Sequence, residues 1–300
     1  MPAGKMHVDE VETNPALVRW LLMAQYPMWA DLPVEPVPSS GTDNALYRLG
    51  NDMVVRLPRI HWAVGQVEKE HEWLPKLAPH LPLAIPEPLA MGTPAGGYPW
   101  EWSIHRWLDG ESAILDLFAD ARQAAKELAQ FITALQRIDP TGGPPAAEYK
   151  LRGVPLATQD VHVREAIAAL DGMFNVDLMT AAWEAALREP DWDRPPVWFH
   201  GDMLPGNVLV DRGHLSAVID FGGLGVGDPA CDLMIAWSLF SGESRDVFRA
   251  AMTVDDATWA RGRGCALCQA LIYIPYYLET NPAGVETARR AVNEILADQS

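Results

Sequence analysis

The sequence predicts an α+β fold, in which a small N-terminal region of antiparallel strands with one main helix precedes a larger, mostly helical C-terminal region. Three observations predict it. Short apolar runs separated by turn residues occupy the first third of the chain. Helical periodicity dominates from residue 113 onward. The chain has 300 residues, 49% of them hydrophobic, which is enough for a large core and suits either one two-lobed unit or two modest domains.

A helix and a β-hairpin open the N-terminal region. Asn14–Gln25 starts with an N-cap candidate and Pro15 and has amphipathic spacing, which is typical of a helix. Ala45–Leu49 and Met53–Leu57 are apolar runs on either side of a Gly-Asn-Asp turn, so they predict two paired strands.

The main helix of this region is predicted at Trp62–Leu77, where apolar residues recur every three or four positions, and Pro75 should disturb its end. Two further strands are predicted at Leu89–Gly92 and Trp100–Leu108. One or two helices follow between residues 113 and 135. The later periodic segments predict helices at 161–170, 179–187, 247–252, 257–277 with a break at Pro275, and 285–296.

Two short motifs in the C-terminal region carry the candidate chemistry. His200-Gly201-Asp202 is followed after four residues by Asn207, and Asp220-Phe221-Gly222 comes later. Val208–Val210 and Leu215–Ile219 read as the two strands of a hairpin, which returns the chain to its starting end. We therefore expect the side chains of Asp202, Asn207 and Asp220 to converge.

Three oxygen donors without cysteine or clustered histidine suit Mg²⁺, which prefers carboxylates, phosphate oxygens and water. Phosphoryl transfer needs such an ion and one carboxylate that accepts a proton from the attacking hydroxyl. The spacing matches that of protein kinases, where the first Asp is the base and the Asn and second Asp hold magnesium. We expect Asp202 to be the catalytic base, with Asn207 and Asp220 as metal ligands.

With Gly201 in the place of the kinase arginine, this segment resembles the aminoglycoside phosphotransferase family, to which macrolide and choline kinases are similar. The resemblance covers nearly the whole chain in order, and its specific residues lie between 200 and 232. It implies a protein-kinase-like bilobal fold with ATP or GTP between the lobes. The expected domains are an N-terminal nucleotide-binding lobe, 1–107, and a C-terminal catalytic and substrate-binding helical lobe, 108–300. The family's Asp-Pro-x-x-Asp pattern implies that Asp232 is a buried brace for the 200–207 loop.

The resemblance also implies where a nucleotide binds. A flap over the triphosphate corresponds to the small polar loop before the first hairpin strand, although an ordinary loop explains that stretch equally well. Its cofactor-binding candidates are Ser39, Ser40, Gly41, Thr42 and Asn44.

Arg56 occupies the place of the phosphate-binding lysine, and a guanidinium can contact two phosphate oxygens. We expect Arg56 to pair with Glu70, with Glu68 as the alternative. In the strand that leads to the kinase hinge, the carbonyl of Arg106 and the amide of Leu108 would bind the adenine ring of the nucleotide. His105 would occupy the gatekeeper position.

Charge and cysteine content restrict the partners and the compartment. The 23 basic and 40 acidic residues give a net charge of −17, which disfavours nucleic acid and anionic membranes and favours a cationic acceptor, although acidity can serve solubility alone. Three cysteines fit a reducing cytoplasm. Acidic residues precede any apolar run, so we expect no signal peptide, and no segment approaches the roughly 18 apolar residues of a membrane span.

The expected function is an ATP- or GTP-dependent phosphotransferase that modifies a hydroxyl of an aminoglycoside-like or other antibiotic and so confers resistance. A metabolic kinase for choline, a sugar or an amino alcohol is the first alternative. A non-catalytic nucleotide-binding protein is the second. Arg56 and the flap with its single glycine favour this second alternative, whereas the intact set of Asp202, Asn207 and Asp220 disfavours it.

Overall fold

The computed structural model describes residues 5–39, 41–146 and 152–298 of the chain. The chain forms two compact units. The first comprises Met1–Pro79 and Ala84–Asp109, and the second comprises His80–Leu83 and Gly110–Ser300. The predicted α+β fold class is confirmed, because an antiparallel sheet dominates the first unit and helices dominate the second.

The first unit is built on an antiparallel sheet of five strands within the described residues, in the order β1-β2-β3-β5-β4. Two helices accompany it. Its elements are α1 (Pro15–Gln25), β1 (Val34–Pro36), β2 (Asn44–Leu49), β3 (Met53–Pro58), α2 (Gln66–Leu77), β4 (Pro88–Gly92) and β5 (Trp102–Arg106).

Local sequence accounts for the first helix and the central hairpin. Asn14 caps α1, because its Oδ1 accepts a hydrogen bond from the N–H of Leu17 at 2.9 Å, and Pro15 fits the first turn. β2 and β3 pair in register from Asn44 with Pro58 to Leu49 with Met53. Residues of α1, β2, β3 and β5 share one buried core, which contains the fully buried Trp102. Burial of such a side chain contributes on the order of 3 kcal/mol.

Helix α2 starts later than predicted and ends where predicted. The segment from His61 to Ala63 is a separate 3₁₀ turn, and Gly65 follows with a left-handed φ of +86°, so α2 begins only at Gln66. Pro75 lies inside the helix, whose buried Leu74 and Leu77 keep the last turn packed. Core packing there outweighs the hydrogen bond that proline removes.

The second unit combines helices with short strands. Its elements are β6 (Glu111–Ser112), α3 (Ala121–Gln136), α4 (Asp160–Ala169), α5 (Val176–Leu187), β7 (Val197–Phe199), β8 (Val208–Asp211), β9 (His214–Val218), β10 (Gly225–Gly227), α6 (Ile235–Ser238), α7 (Gly242–Met252), α8 (Asp256–Tyr277) and α9 (Pro282–Ala297).

The β8–β9 hairpin agrees with the sequence prediction, and its turn uses left-handed conformations at Arg212 and Gly213. β6 pairs with the outer side of β8. The glycine-rich stretch after Gly222, which reads as a flexible turn from sequence, instead contains strand β10, paired antiparallel with β7. Helix α8 continues two residues past Pro275, so the expected break is wrong.

Helices α8 and α9 pack on each other, and α8 also contacts the 3₁₀ segment Pro229–Met234 that follows the motif region. Among the residues that the structure describes, no helix is long and apolar enough to cross a membrane.

Candidate active site

The candidate catalytic loop connects β7 to β8. One main-chain hydrogen bond and one histidine side-chain contact bring its two ends to the end of β9. The N–H of Ile219 donates to the carbonyl oxygen of Asn207 at 2.8 Å. Nε2 of His200 lies 3.0 Å from the carbonyl oxygen of Ile219. Asp220 is the next residue in the chain, so its backbone lies beside the loop that carries Asp202 and Asn207.

Asp202 and Asn207 are in direct contact. Nδ2 of Asn207 donates to Oδ2 of Asp202 at 2.9 Å and to its main-chain oxygen at 2.8 Å. The N–H of Asp202 donates to Nδ1 of His200 at 3.2 Å. The carboxylate is one-third exposed. It is therefore oriented by its neighbours while remaining accessible to a reactant.

Asp220 has an unusual backbone conformation, with φ +63° and ψ +68°. Aspartate tolerates this left-handed region better than most residues, and such conformations concentrate at functional sites. The adjacent Phe221 is fully buried and packs edge-on against His200, with ring centroids 4.5 Å apart. This packing holds the turn that presents Asp220.

The donor set of this loop fits a Mg²⁺ ion. Both amide hydrogens of Asn207 are directed at Asp202, which leaves its Oδ1 as the atom able to face a cation. Asp220 adds a carboxylate. Within residues 5–39, 41–146 and 152–298, no cluster of three or more His, Cys, Asp or Glu side chains is placed to hold a metal. One amide and one carboxylate suit Mg²⁺, which usually binds one or two carboxylates together with phosphates and water.

Asp232 braces the start of this loop, as expected. Its side chain is fully buried and accepts hydrogen bonds from the N–H groups of His200 at 2.7 Å and Gly201 at 2.8 Å. Burial raises the pKa of Asp232, against the opposing effect of these two amide hydrogen bonds. The brace fixes the backbone from which Asp202 projects.

Gly201 is required by the backbone geometry of the loop. Its φ is +81°, and a Cβ atom at this position would lie 2.2 Å from the carbonyl oxygen of Gly223. Two main-chain segments therefore approach each other closely here. Any side chain at position 201 would separate the Asp202 loop from the chain that follows Asp220.

Arg152 is a site residue that the sequence did not reveal. Its Nη2 lies 4.0 Å from Oδ1 of Asp202, although 50 residues separate the two in sequence. No sequence motif surrounds it in the stretch between Thr141 and Pro196. Only the tertiary structure brings this cation to the carboxylate.

In the first unit, Arg56 and Glu70 form a buried ion pair. Nη1 of Arg56 donates to Oε2 of Glu70 at 2.7 Å, and the two side chains are 10% and 2% exposed. Glu68, the alternative partner, is exposed. Nε2 of His105 lies 4.0 Å from the same Glu70 oxygen. Burial, followed by the charges of Arg56 and His71, holds the pKa of His105 well below its usual range, so this histidine is neutral.

The flap candidates lie in a loop that is anchored by hydrogen bonds. The N–H of Gly41 donates to Oγ of Ser39 at 2.9 Å, and Thr42 donates to Oδ1 of the buried Asp43 at 3.2 Å. Asn44 already belongs to β2. Ser40 lies outside the described residues.

The two hinge candidates stand at and beyond the end of β5. Arg106 is the last residue of the strand, and its N–H donates to the carbonyl of Glu87 at 2.9 Å. Its guanidinium contacts the Glu87 carboxylate at 2.7 Å. Leu108 is half-buried in irregular chain two residues later. The N–H of Trp107, between them, donates to the carbonyl of Asp52 at 2.7 Å.

An antiparallel sheet carrying a buried Arg–Glu pair, together with a helical unit carrying the Asp202–Asn207 loop, defines the class of kinase-like phosphotransferases. The profile of the Phosphotransferase enzyme family matches residues 34–265. The chain belongs to this family, which confirms the resemblance to aminoglycoside phosphotransferases and the expectation of an enzyme.

Solved structures of similar fold agree with this assignment. The chain is 19% identical to the GDP complex of wild-type aminoglycoside 2'-phosphotransferase-IIIa, with a TM-score of 0.75 over 96% of this chain and 100% of that chain. It is 18% identical to the streptomycin–ATP ternary complex of APH(2'')-IIa, with a TM-score of 0.62 over 93% and 96% of the two chains. It is 24% identical to the macrolide 2'-phosphotransferase MphH from Brachybacterium faecium, with a TM-score of 0.58 over 91% and 97%. A search of curated proteins finds no match.

Proposed function

We propose that this protein transfers the γ-phosphoryl group of ATP or GTP to a hydroxyl group of a small cationic antibiotic. The observation that carries the proposal is the contact between the Asp202 carboxylate and the Asn207 amide. The two ends of their loop, His200 and Asn207, both contact Ile219, the residue before Asp220. This is the arrangement that positions a base beside a magnesium-bound triphosphate.

In the proposed reaction, Asp202 accepts a hydrogen bond from the acceptor hydroxyl and takes its proton as the oxygen attacks the γ-phosphorus. The bond between the γ-phosphorus and the β–γ bridging oxygen breaks, and the nucleoside diphosphate leaves with that oxygen. Asn207 donates a hydrogen bond to Oδ2 of Asp202 and so orients the carboxylate. Asn207 and Asp220 are the residues that would hold Mg²⁺, which when bound neutralises charge on the phosphate oxygens. Positioning and charge neutralisation supply most of the catalysis in this reaction class.

The nucleotide contacts are part of the same proposal. In the first unit, we assign the phosphates to Arg56, oriented by Glu70, and to the flap residues Ser39, Gly41, Thr42 and Asn44, together with Ser40. The adenine or guanine edge is assigned to the carbonyl of Arg106 and the amide of Leu108. We propose 1–107 as the nucleotide-binding domain and 108–300 as the catalytic and acceptor-binding domain.

A cationic acceptor is supported by charge and by the similar structures. The net charge of −17 attracts polycations. One similar structure holds streptomycin with ATP. Four acidic side chains of the second unit are candidates for binding ammonium groups, and three of them are already paired: Glu243 with Arg122, Asp255 with Arg194, and Asp256 with Arg249. The fourth, Glu279, is exposed just past the end of α8. A cytoplasmic location belongs to the proposal, since the reaction consumes nucleoside triphosphate.

The test is a nucleotide-consumption screen of the purified protein with Mg²⁺ over aminoglycosides, macrolides, choline and amino alcohols, using ATP and GTP separately. Mass spectrometry of each positive reaction should show an antibiotic that has gained one phosphoryl group. Asp202→Asn serves as the inactive control. Asp211→Asn, which neutralises the carboxylate at the end of β8, is the matched control for the loss of charge. Phosphorylation of the metabolic alcohols alone would overturn the assignment to antibiotics.

A further inference from the structure

Arg152 approaches the proposed base from a part of the chain that the phosphotransfer motifs do not include. Its Nη2 lies 4.0 Å from Oδ1 of Asp202, and its side chain is 18% exposed. Asn207 donates to the opposite oxygen, Oδ2. The two oxygens of the Asp202 carboxylate therefore have different neighbours, an amide on one side and a guanidinium on the other.

The backbone next to Arg152 is fixed in place. Gly153 has a φ of +67°, and a Cβ atom there would lie 2.2 Å from the ring of Phe199 at the end of β7. The carbonyl of Gly153 accepts a hydrogen bond from the N–H of Asp228 at 3.0 Å. Because Phe199 directly precedes the Asp202 loop, the arginine and the carboxylate are attached to the same rigid segment.

Arg152 is poorly satisfied as a structural residue. Its Nε is buried, and within the part of the chain that the structure describes this nitrogen has no hydrogen-bond partner. A buried donor without a partner disfavours folding. The buried Nε therefore adds no stability at this position, and the Asp202 carboxylate is the acidic group that the guanidinium approaches.

The other charged groups around Asp202 make a cation useful. Asp232 is close enough for the two carboxylates to repel each other, and Asp202 contributes to the raised pKa of Asp232. Asp220 directly follows Ile219, whose N–H donates to the carbonyl oxygen of Asn207 in the same loop. His200 faces Asp202 through Nδ1, which accepts the Asp202 N–H. Arg152 brings positive charge into this cluster of acids.

We propose that Arg152 is a positioning residue of the phosphotransfer reaction, which holds Oδ1 of Asp202 in the orientation that receives the acceptor proton. The inference rests on the proposed function, in which Asp202 is the base. Arg152 acts through Asp202 and is assigned no contact with substrate.

The test compares Arg152→Gln, Arg152→Lys and wild type. Arg188→Gln, an exposed arginine at the end of α5, is the matched control for the charge change. Arg152→Gln should lower kcat roughly tenfold or more with KM for nucleotide within about twofold, because the Asp202 carboxylate is then held less often in the productive orientation. Arg152→Lys should restore much of the rate. The melting temperature of Arg152→Gln should stay close to that of wild type, so that reduced turnover does not reflect unfolding.

A second measurement does not depend on turnover. Carbon-13 NMR of protein labelled at aspartate Cγ, with Asp202→Asn used for assignment and all spectra recorded at neutral pH, should show the Asp202 signal displaced in Arg152→Gln and unchanged in Arg188→Gln. An Asp202 signal that Arg152→Gln leaves in place would overturn the proposal, as would a raised KM for the acceptor with unchanged kcat. If wild type phosphorylates no acceptor, the proposed function fails, and the Asp202 signal still decides whether Arg152 holds Asp202.

Discussion

Asn207 donates its side-chain amide to Asp202 twice, to Oδ2 at 2.9 Å and to the main-chain oxygen at 2.8 Å. The base candidate and a metal-ligand candidate are thus oriented by each other before any ligand is bound. Such preorganisation removes the cost of orienting these groups during the reaction.

Asp202→Asn should abolish most turnover and leave nucleotide affinity nearly intact. The amide keeps the shape of the side chain but cannot take the acceptor proton, and general-base catalysis is worth about 10²–10⁴ in rate. Single-turnover kinetics and calorimetric titration of nucleotide check the two parts. A variant that retains the wild-type rate would remove Asp202 from the role of base.

Asp220→Ala should weaken nucleotide binding only when magnesium is present. The aspartate is the proposed carboxylate ligand, so its loss should reduce affinity for the magnesium–nucleotide complex by about tenfold or more, whereas affinity for nucleotide in EDTA should not change. Isothermal calorimetry under both conditions makes the comparison. Equal losses with and without magnesium would indicate a collapsed turn at residue 220 instead of a missing ligand.

Arg56→Met should destabilise the first unit, because it removes the cation that pairs with the buried Glu70 carboxylate. Breaking a buried pair in this way costs about 3–5 kcal/mol, whereas replacing both partners with apolar residues is often neutral or stabilising. The double variant Arg56→Met with Glu70→Leu should therefore recover stability in urea unfolding and still bind nucleotide poorly. If it binds nucleotide like wild type, Arg56 has a purely structural role.

Stability should fall as the solution is acidified below about pH 6.5, and His105 should account for part of the loss. Burial lowers the pKa of His105 in the folded state, so the unfolded chain takes up a proton at a pH where the folded chain does not. The slope cannot exceed about 1.4 kcal/mol per pH unit for one proton. His105→Gln should flatten urea-unfolding free energies between pH 7.5 and 5.5. The exposed His214→Gln is the control, and identical slopes in wild type and His105→Gln would contradict the prediction.

Asp232→Asn should destabilise the fold and slow the reaction together. An amide has one oxygen for the two N–H groups of His200 and Gly201, and its own NH₂ would face one of them. The cost of the unsatisfied group is about 1–3 kcal/mol. Thermal unfolding and kcat should both decrease, and a variant with reduced stability but full kcat would show that the brace does not position Asp202.

Features with local signals could be predicted from the sequence. The cap at Asn14, the β2–β3 hairpin and the β8–β9 hairpin depend on residues close together in the chain, and all are present. The pairing of Arg56 with Glu70 could also be predicted, because the family resemblance places the two residues in a strand and a helix that face each other, and the structure contains this pair.

Features that depend on distant contacts could not be predicted. Arg152 reaches Asp202 only because Gly153 packs on Phe199, and no local pattern encodes that contact. Strand β10 has only three residues, two of them glycine, and is defined by its partner β7. Pro275 stays within α8 because Ile274 and Tyr277 are buried on either side of it.

The close approach of Gly201 to Gly223 limits how this enzyme can be redesigned. A Cβ atom at either position would meet main-chain atoms, at 2.2 Å from position 201 and 3.0 Å from position 223, and main chain cannot rotate away as a side chain does. In laboratory evolution toward new acceptors, surviving clones should keep glycine at 201 without exception and accept little beyond alanine at 223. Changes in acceptor specificity must then come from substitutions in helices and loops away from residues 201 and 223.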